Sequence, residues 1–223
     1  MKRGKNYKAA VEKRATEEMT VEEAIAFVKE NASAKFDESI ELHVRLNIDT
    51  KKGEQSVRGS VVLPGGTGKE VRVGVITEDK ADEAKKAGAD LIGGQELIDK
   101  MKGGELPDVD VLVATPDMMP KLAQAARVLG PRGLMPSPKT DTVTPNVAAA
   151  VESLKKGKAN FKNDNTGNIH QVIGKVSFDA AKIVENYNAF MEAIKGCKND
   201  AHKGQLVANT SICSTMSPAV KIK

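Results

Sequence analysis

Cys197, Cys213, His43, His170 and His202 are the residues of this 223-residue chain best suited to metal binding or acid-base work. Their spacing matches no zinc-ligand pattern, and two thiols are too few for a disulfide framework. Ser-His-Asp and Cys-His combinations can be drawn from the composition, but no serine or cysteine sits in an elbow that would expose a nucleophile. An acid-base or metal pair built on His43 and His170 would need a third partner that the sequence does not point to. The run Leu63-Pro64-Gly65-Gly66-Thr67-Gly68-Lys69-Glu70 invites a phosphate-loop reading. It fails the required spacing at both ends, with Leu63 in place of the first glycine and Glu70 in place of the hydroxyl. It also precedes a strand, whereas phosphate loops follow a strand and open a helix. These residues predict a hinge between domains, and a protein that is not an enzyme and holds no cofactor or metal.

The remaining candidates are polar surface groups. Ser211, Ser214, Thr215 and Ser217 place small hydroxyls at a strand end, where they permit close approach to a sugar-phosphate backbone and to the 2′-hydroxyl of RNA; a plain terminal turn reads the same way. Lys35 and Phe36 lie in a loop just before a strand, and patterning alone favours Phe36 as a core plug over a flat surface against nucleotides. Aromatics make up 3% of the chain, with no Trp, so a nucleic-acid surface here must rely on charge, backbone and shape rather than rows of stacked rings. Charge is unevenly placed. Residues 68–157 carry 13 basic and 14 acidic groups, which leaves 21 and 16 of the chain's 34 and 30 to the flanking segments. Six basic residues (Lys2, Arg3, Lys5, Lys8, Lys13, Arg14) meet one acid, Glu12, in the first fourteen positions, as expected of an arm or helix facing a polyanion or of a solvated basic end.

The elements that must position these groups follow from hydrophobic periodicity. With 40% hydrophobic and 29% charged residues the chain is globular, and at about 100–200 residues per domain it holds one or two domains. It has no apolar run of roughly 18 residues for a membrane span and no signal-peptide core, so a cytoplasmic protein that starts at Met1 and avoids membranes is expected. Thr20 and Glu23 form a capping box for a helix over 20–32. Residues 40–49 alternate completely, with Ile40, Leu42, Val44, Leu46 and Ile48 on one face and His43 on the other; residues 56–63 form a second strand expected to pair antiparallel with the first.

From Gly68 the pattern switches to apolar strands alternating with helices: strands near 71–76, 90–92 and 109–115, and helices over 79–87, 95–102, 118–130 and 145–156. After Gly157, half-solvated strands near 159–162 and 169–178 flank a polar turn, a helix runs over 179–195, and a last strand spans 205–213. Neither flank alone has enough strands for a sheet. The expected fold is therefore a split α+β domain, with an antiparallel sheet and helices, formed by residues 1–67 and 158–223. An inserted Rossmann-like three-layer α/β/α domain fills residues 68–157. The composition breaks at Pro64–Gly68 and 156–158 mark the hinges.

The run Lys35-Phe36-Asp37-Glu38-Ser39-Ile40-Glu41, the segment Leu63 to Lys69, the loop Leu129-Gly130-Pro131-Arg132-Gly133-Leu134-Met135-Pro136 and the tail Ser214-Thr215-Met216 resemble the bacterial large-subunit ribosomal protein L-one family, in order and over essentially the whole chain. The resemblance implies a primary ribosomal-RNA-binding protein of the mobile stalk beside the tRNA exit site. Such a protein assists release of deacylated tRNA, represses translation of its own operon messenger, and is a monomer off the ribosome. By position, the implied RNA surface is Lys35, Phe36 and Ser39, then Lys162, Thr166, Gly167, His170 and Lys175, then Ser211, Thr215, Met216 and Ser217. This reverses the preference for Phe36 as a plug. Two positions depart from the family: Ser217 follows Ser-Thr-Met where glycine is usual, and Asp141 replaces a common glycine. The competing expectations are a nucleotide-dependent enzyme with its ligand at the carboxyl ends of the insert's parallel strands, and an RNA-binding repressor acting off the ribosome.

Overall fold

A computed structural model of the protein describes residues 4–14, 18–198, 202 and 204–223. Contacts divide the chain into two units, Met1–Gly68 with Ala159–Lys223, and Lys69–Lys158; both junctions fall one residue later than the composition breaks suggest. The first unit opens with α1 (Lys5–Lys13) and α2 (Val21–Glu30), followed by β1 (Ser39–Leu46) and β2 (Arg58–Val62). The second unit runs β3 (Val73–Ile76), α3 (Ala81–Lys86), β4 (Leu91–Gly93), α4 (Gln95–Lys102), β5 (Val111–Ala114), α5 (Met119–Leu122), α6 (Ala126–Leu129) and α7 (Val147–Lys155). The chain then returns with β6 (Lys158–Lys162), β7 (Asn168–Lys175), α8 (Ala180–Gly196), β8 (Val207–Ser214) and β9 (Val220–Ile222).

In the first unit the capping box forms as its residues require. The Thr20 hydroxyl accepts from the Glu23 N–H at 3.4 Å and the Glu23 carboxylate accepts from the Thr20 N–H at 3.0 Å, so the helix start keeps no orphan donor at either position. β1 is a central strand: β7 pairs antiparallel along one edge and β8 along the other, with β9 outside β8. Ile40, Leu42, Val44 and Leu46 are buried with Ile25 and Val28 of α2 and Ile183, Phe190 and Ile194 of α8 in one core. The alternate residues Ser39, Glu41, His43 and Arg45 are left on the opposite face, partly or fully exposed. Here one expectation fails. Strand β2 does not pair with β1 but with β6, in a separate two-stranded sheet, because both edges of β1 are already occupied.

The glycine-rich segment after β2 is fastened to this unit by a side chain. Asn186, fully buried on α8, accepts from the Gly65 N–H at 2.8 Å and donates to the carbonyls of Gly66 at 3.0 Å and Ile173 at 2.7 Å. Gly68 has φ +72, and a Cβ there would lie 2.7 Å from Lys175 Cγ, so the residue type is required twice over.

The second unit is the three-layer insert. β4, β3 and β5 form a parallel sheet in that order; α3 and α7 cover one face through Ala84, Val147 and Val151, and α4 with the α5–α6 run covers the other through Ile98, Leu122 and Leu129. The helix expected over 118–130 is broken into α5 and α6 by a 3₁₀ turn at Ala123–Ala125. Asp141 is the one non-glycine among the described residues with positive φ, at 51°, and its carboxylate meets Lys158 Nζ at 2.9 Å. The position expected to depart from a glycine therefore has the left-handed backbone that glycine favours.

Two stability predictions follow from these contacts. Asn186→Ala leaves one donor and two acceptors unpaired in a buried place, at roughly 1–3 kcal/mol each before relaxation, and is expected to lower the unfolding free energy of the first unit by about 3 kcal/mol or more, read as a lower urea midpoint. Asp141→Gly relieves a left-handed strain of about 1 kcal/mol and gives up an exposed ion pair worth about 0.5 kcal/mol, so calorimetry should show the thermal midpoint rising by roughly 1–2 °C.

Candidate nucleic-acid interface

Two loops from opposite ends of the chain meet where β1 begins. The Ser39 N–H donates to Thr215 Oγ1 and the Thr215 N–H donates to the Ser39 carbonyl, both at 3.1 Å. Lys175 Nζ donates to Ser39 Oγ at 2.9 Å, which adds the end of β7 to the same cluster. Beneath it lies Glu38, 1% exposed, whose carboxylate accepts from the Ala34 N–H at 2.9 Å, from the Met216 N–H at 3.1 Å and from the Ser214 hydroxyl. Burial pushes the Glu38 carboxyl up, but the Ser214 hydroxyl and the N–H groups of Ala34, Met216 and Ser33 outweigh it and hold the group below the ordinary carboxylate range. Above this support Lys35 is exposed, and Phe36 and Met216 are 58% and 57% exposed. Phe36 is thus no core plug.

A second cluster lies further along the open face of the sheet, where His170, His43 and Ser211 are cross-strand partners on β7, β1 and β8. His43 Nδ1 and His170 Nδ1 are 2.7 Å apart, with the rings edge to face. His43 Nε2 lies 3.2 Å from Cys213 Sγ, and His170 Nε2 lies 3.5 Å from the Asp164 carboxylate. One proton arrangement satisfies these three contacts, though it leaves Glu41, 3.9 Å from His43 Nε2, without a proton from that ring: Cys213 S–H donates to His43 Nε2, His43 Nδ1–H to His170 Nδ1, and His170 Nε2–H to Asp164. Both imidazoles are neutral in it. Burial, then the charge of His170, lowers the pKa of His43, with Glu41 opposing. Burial, with the charge of Glu41, raises Cys213 to about 11, so the thiol stays protonated at neutral pH and is neither nucleophile nor ready metal ligand.

Asp164 anchors the turn between β6 and β7. Its carboxylate accepts from the N–H groups of Asn168 and Thr166 at 2.7 and 2.9 Å and from the Thr166 hydroxyl, and these donors, Asn168 first, hold it far below the ordinary carboxylate range. Thr166 and His170 are thereby brought to one acid. Gly167 is buried, with φ +80 and its carbonyl accepting from the Leu46 N–H at 2.8 Å, so it shapes the turn and presents no side chain. Lys162 is exposed on β6, in the two-stranded sheet rather than the four-stranded one.

Residues 28–218 match the sequence pattern of the ribosomal protein L1p/L10e family. The chain is 51% identical over 223 residues to the large ribosomal subunit protein uL1 of Streptococcus thermophilus (strain ATCC BAA-491 / LMD-9), covering 99% of this chain and 97% of that protein. It is 51% identical over 224 residues to the large ribosomal subunit protein uL1 of Cutibacterium acnes, covering 100% and 96%. The chain belongs to the ribosomal protein L1p/L10e family. It is accordingly not an enzyme.

The insert's residues agree with that membership. A nucleotide phosphate on a Rossmann-like sheet sits at a glycine-rich turn after the first strand, but the turn after β3 is Thr77-Glu78-Asp79-Lys80. A cleft of about 520 Å³ beside it presents Glu78 and Glu96 with Lys85, a poor setting for an anion. Among the described residues no group of three His, Cys, Asp or Glu side chains could hold a metal ion, and no helix is long and apolar enough to cross a membrane. Of the two departures from the family pattern, Ser217 takes no left-handed backbone; its hydroxyl accepts from the Ser214 N–H at 2.9 Å and closes the turn with a side chain. Sequence reasoning passed over Glu38, whose acidic side chain just before a strand reads as solvent-facing until its partners, 176 and 178 positions away, are known.

The histidine arrangement has a pH signature. A folded unit that keeps His43 neutral binds fewer protons than the unfolded chain below about pH 6.5, so its stability falls as pH drops through that range. NMR titration should place His43 below the ordinary imidazole value. His170→Asn should move it partway back, since burial, the larger cause, remains.

Proposed function

We propose that the chain is a primary ribosomal-RNA-binding protein of the large-subunit stalk, acting on the cytoplasmic ribosome beside the exit-site tRNA and assisting release of deacylated tRNA. The observation that carries the reading is the joined surface at the start of β1. There two exposed apolar side chains, Phe36 and Met216, stand beside Lys35 and the Ser39–Lys175–Thr215 cluster. Lysines meet phosphates, Phe36 and Met216 lie against sugars or bases, and the hydroxyls of Ser39, Ser211, Thr215 and Ser217 lie near 2′-hydroxyls. Lys162, Thr166 and His170 extend the contact along the open face, with Gly167 holding their turn. The names of the relatives support this assignment, since both are called large ribosomal subunit proteins and the match covers 97% and 96% of their lengths. The same surface would take an operon messenger folded like the stalk, which makes repression of its own translation a second use of one site. Off the ribosome the chain acts as a monomer.

Titration of a synthetic stalk RNA with the full chain tests the reading. Tight binding that prefers the stalk over a plain duplex of equal length is expected, with log affinity falling linearly against log salt by about 0.7–0.9 per phosphate contact. Phe36→Ala should cost about 1–3 kcal/mol without changing the salt slope, and Lys35→Ala should reduce the slope by about one contact. Equal affinity for any RNA of that length would reduce the interaction to charge and defeat the proposal.

A further inference from the structure

Glu38 does not face outward, and yet it touches the loop before β1, the turn after β8 and the residue that follows β7. Its Oε1 holds the Ala34 N–H, one residue before Lys35 and two before Phe36, while its Oε2 holds the Met216 N–H and the Ser214 hydroxyl. Its backbone carbonyl accepts from the Val176 N–H at 2.9 Å, immediately after Lys175. The residue is almost completely buried, and the partners of its carboxylate are N–H groups and a hydroxyl, with no ion pair to a Lys or Arg among the described residues. An uncompensated buried charge is costly, so the donors around it are obligatory partners. One carboxylate with two oxygens spans two loops; a residue that merely filled the space would leave each loop to bond water separately.

We propose that Glu38 is a positioning residue for RNA recognition: by bonding both loops at once it fixes the spacing between Phe36 and Met216, and so makes two loops distant in the sequence one rigid contact surface. The proposal rests on the RNA reading of that surface. Glu38 itself touches no RNA. Its effect therefore lies in pre-organisation, the ordering of groups before the partner arrives, and not in the number of contacts made. It differs from ordinary structural support in a specific way. Disturbing it should weaken discrimination between RNAs while leaving the number of neutralised phosphates unchanged.

The test uses the full chain with Glu38→Gln, which keeps the volume but turns an amide N–H₂ toward the loop donors, and Glu38→Asp, which keeps the charge but is too short to span both loops. Without RNA, amide hydrogen exchange at Ala34 and Met216 should accelerate together in both variants while the core amides of β1 stay protected. With RNA, preference for the stalk over the duplex should fall about tenfold or more, at an unchanged salt slope and unchanged duplex affinity. Selective affinity equal to wild type, with both amides accelerated, would overturn the positioning role. So would a loss that tracks the unfolded fraction and vanishes at a temperature where the variant is fully folded. Where both substitutions prevent folding, Ser214→Ala removes one donor and keeps the carboxylate, and a smaller loss in the same direction is expected; no loss there overturns the role. If the wild-type chain itself fails to prefer the stalk, the surface reading fails and the proposal with it, an outcome distinct from a selective wild type with indifferent variants.

Discussion

Strand β1 finds a partner on each edge in the far part of the chain, and both pairings are antiparallel. His43 and His170 are 127 positions apart, and His43 and Cys213 are 170 apart, yet each pair is in contact. A strand so enclosed cannot accept β2, its nearest neighbour in sequence, and β2 takes β6 instead. The intervening chain must leave the sheet and come back, and the entropy of closing a long loop grows only with the logarithm of its length. An insert that forms its own layered core between the crossings is therefore tolerated. Asn186 fastens the outgoing segment at Gly65 and Gly66, so the departure point is set by the core of the split unit and not by the insert.

The same pairing makes the candidate interface. Because β8 lies directly on β1, the turn after β8 arrives beside the loop before β1, and the hydroxyl and amide exchange between Ser39 and Thr215 follows from the register. Alternation along β1 does the rest. The residues that fill the core on one face oblige Ser39, Glu41, His43 and Arg45 to line the other, over roughly 20 Å at about 3.3 Å per residue. The polar groups on that face join in a short chain that runs from Cys213 through His43 and His170 to Asp164.

Much of this is legible in the sequence where a local rule acts. The strand expected over 40–49, which ends early at Leu46, the capping box at Thr20 and Glu23, the switch to doubly buried strands after Gly68 and the helix expected over 179–195, found at Ala180–Gly196, each depend on near neighbours. Partnership is not local. Period-2 alternation reports which face a strand buries and says nothing of the strand beside it, which is why β2 is assigned to the wrong sheet. Phe36 misleads because a single aromatic in a loop has no periodicity to place it. Glu38 and Asn186 are invisible for the reason they matter: each ties its own neighbourhood, at Ala34 and at Ile173, to a segment more than a hundred positions away, and nothing local distinguishes them from a surface acid and a helix-interior amide.

The hydroxyls that suggest RNA recognition are largely engaged within the protein, and this bears on how selectivity could arise. Thr215 Oγ1 accepts from the Ser39 N–H and points back at the Ser39 carbonyl; Ser217 Oγ accepts from the Ser214 N–H; Thr166 Oγ1 accepts from the Asn168 amide and donates to Asp164. A hydroxyl has one donor and two acceptor positions, so each of these retains an acceptor fixed in direction by the bonds already made. The Ser39 hydroxyl, accepting from Lys175, keeps its donor. A ligand therefore meets oriented partial valences rather than freely rotating hydroxyls. Lysines on a flexible stem can follow any polyanion, but a fixed acceptor rewards only a donor placed opposite it. The 2′-hydroxyl of RNA is such a donor, repeated along the strand at a spacing that depends on how the strand is folded. On the proposed reading, charge on this unit would bring RNA in, and the internal hydrogen bonds would decide which shape of RNA stays.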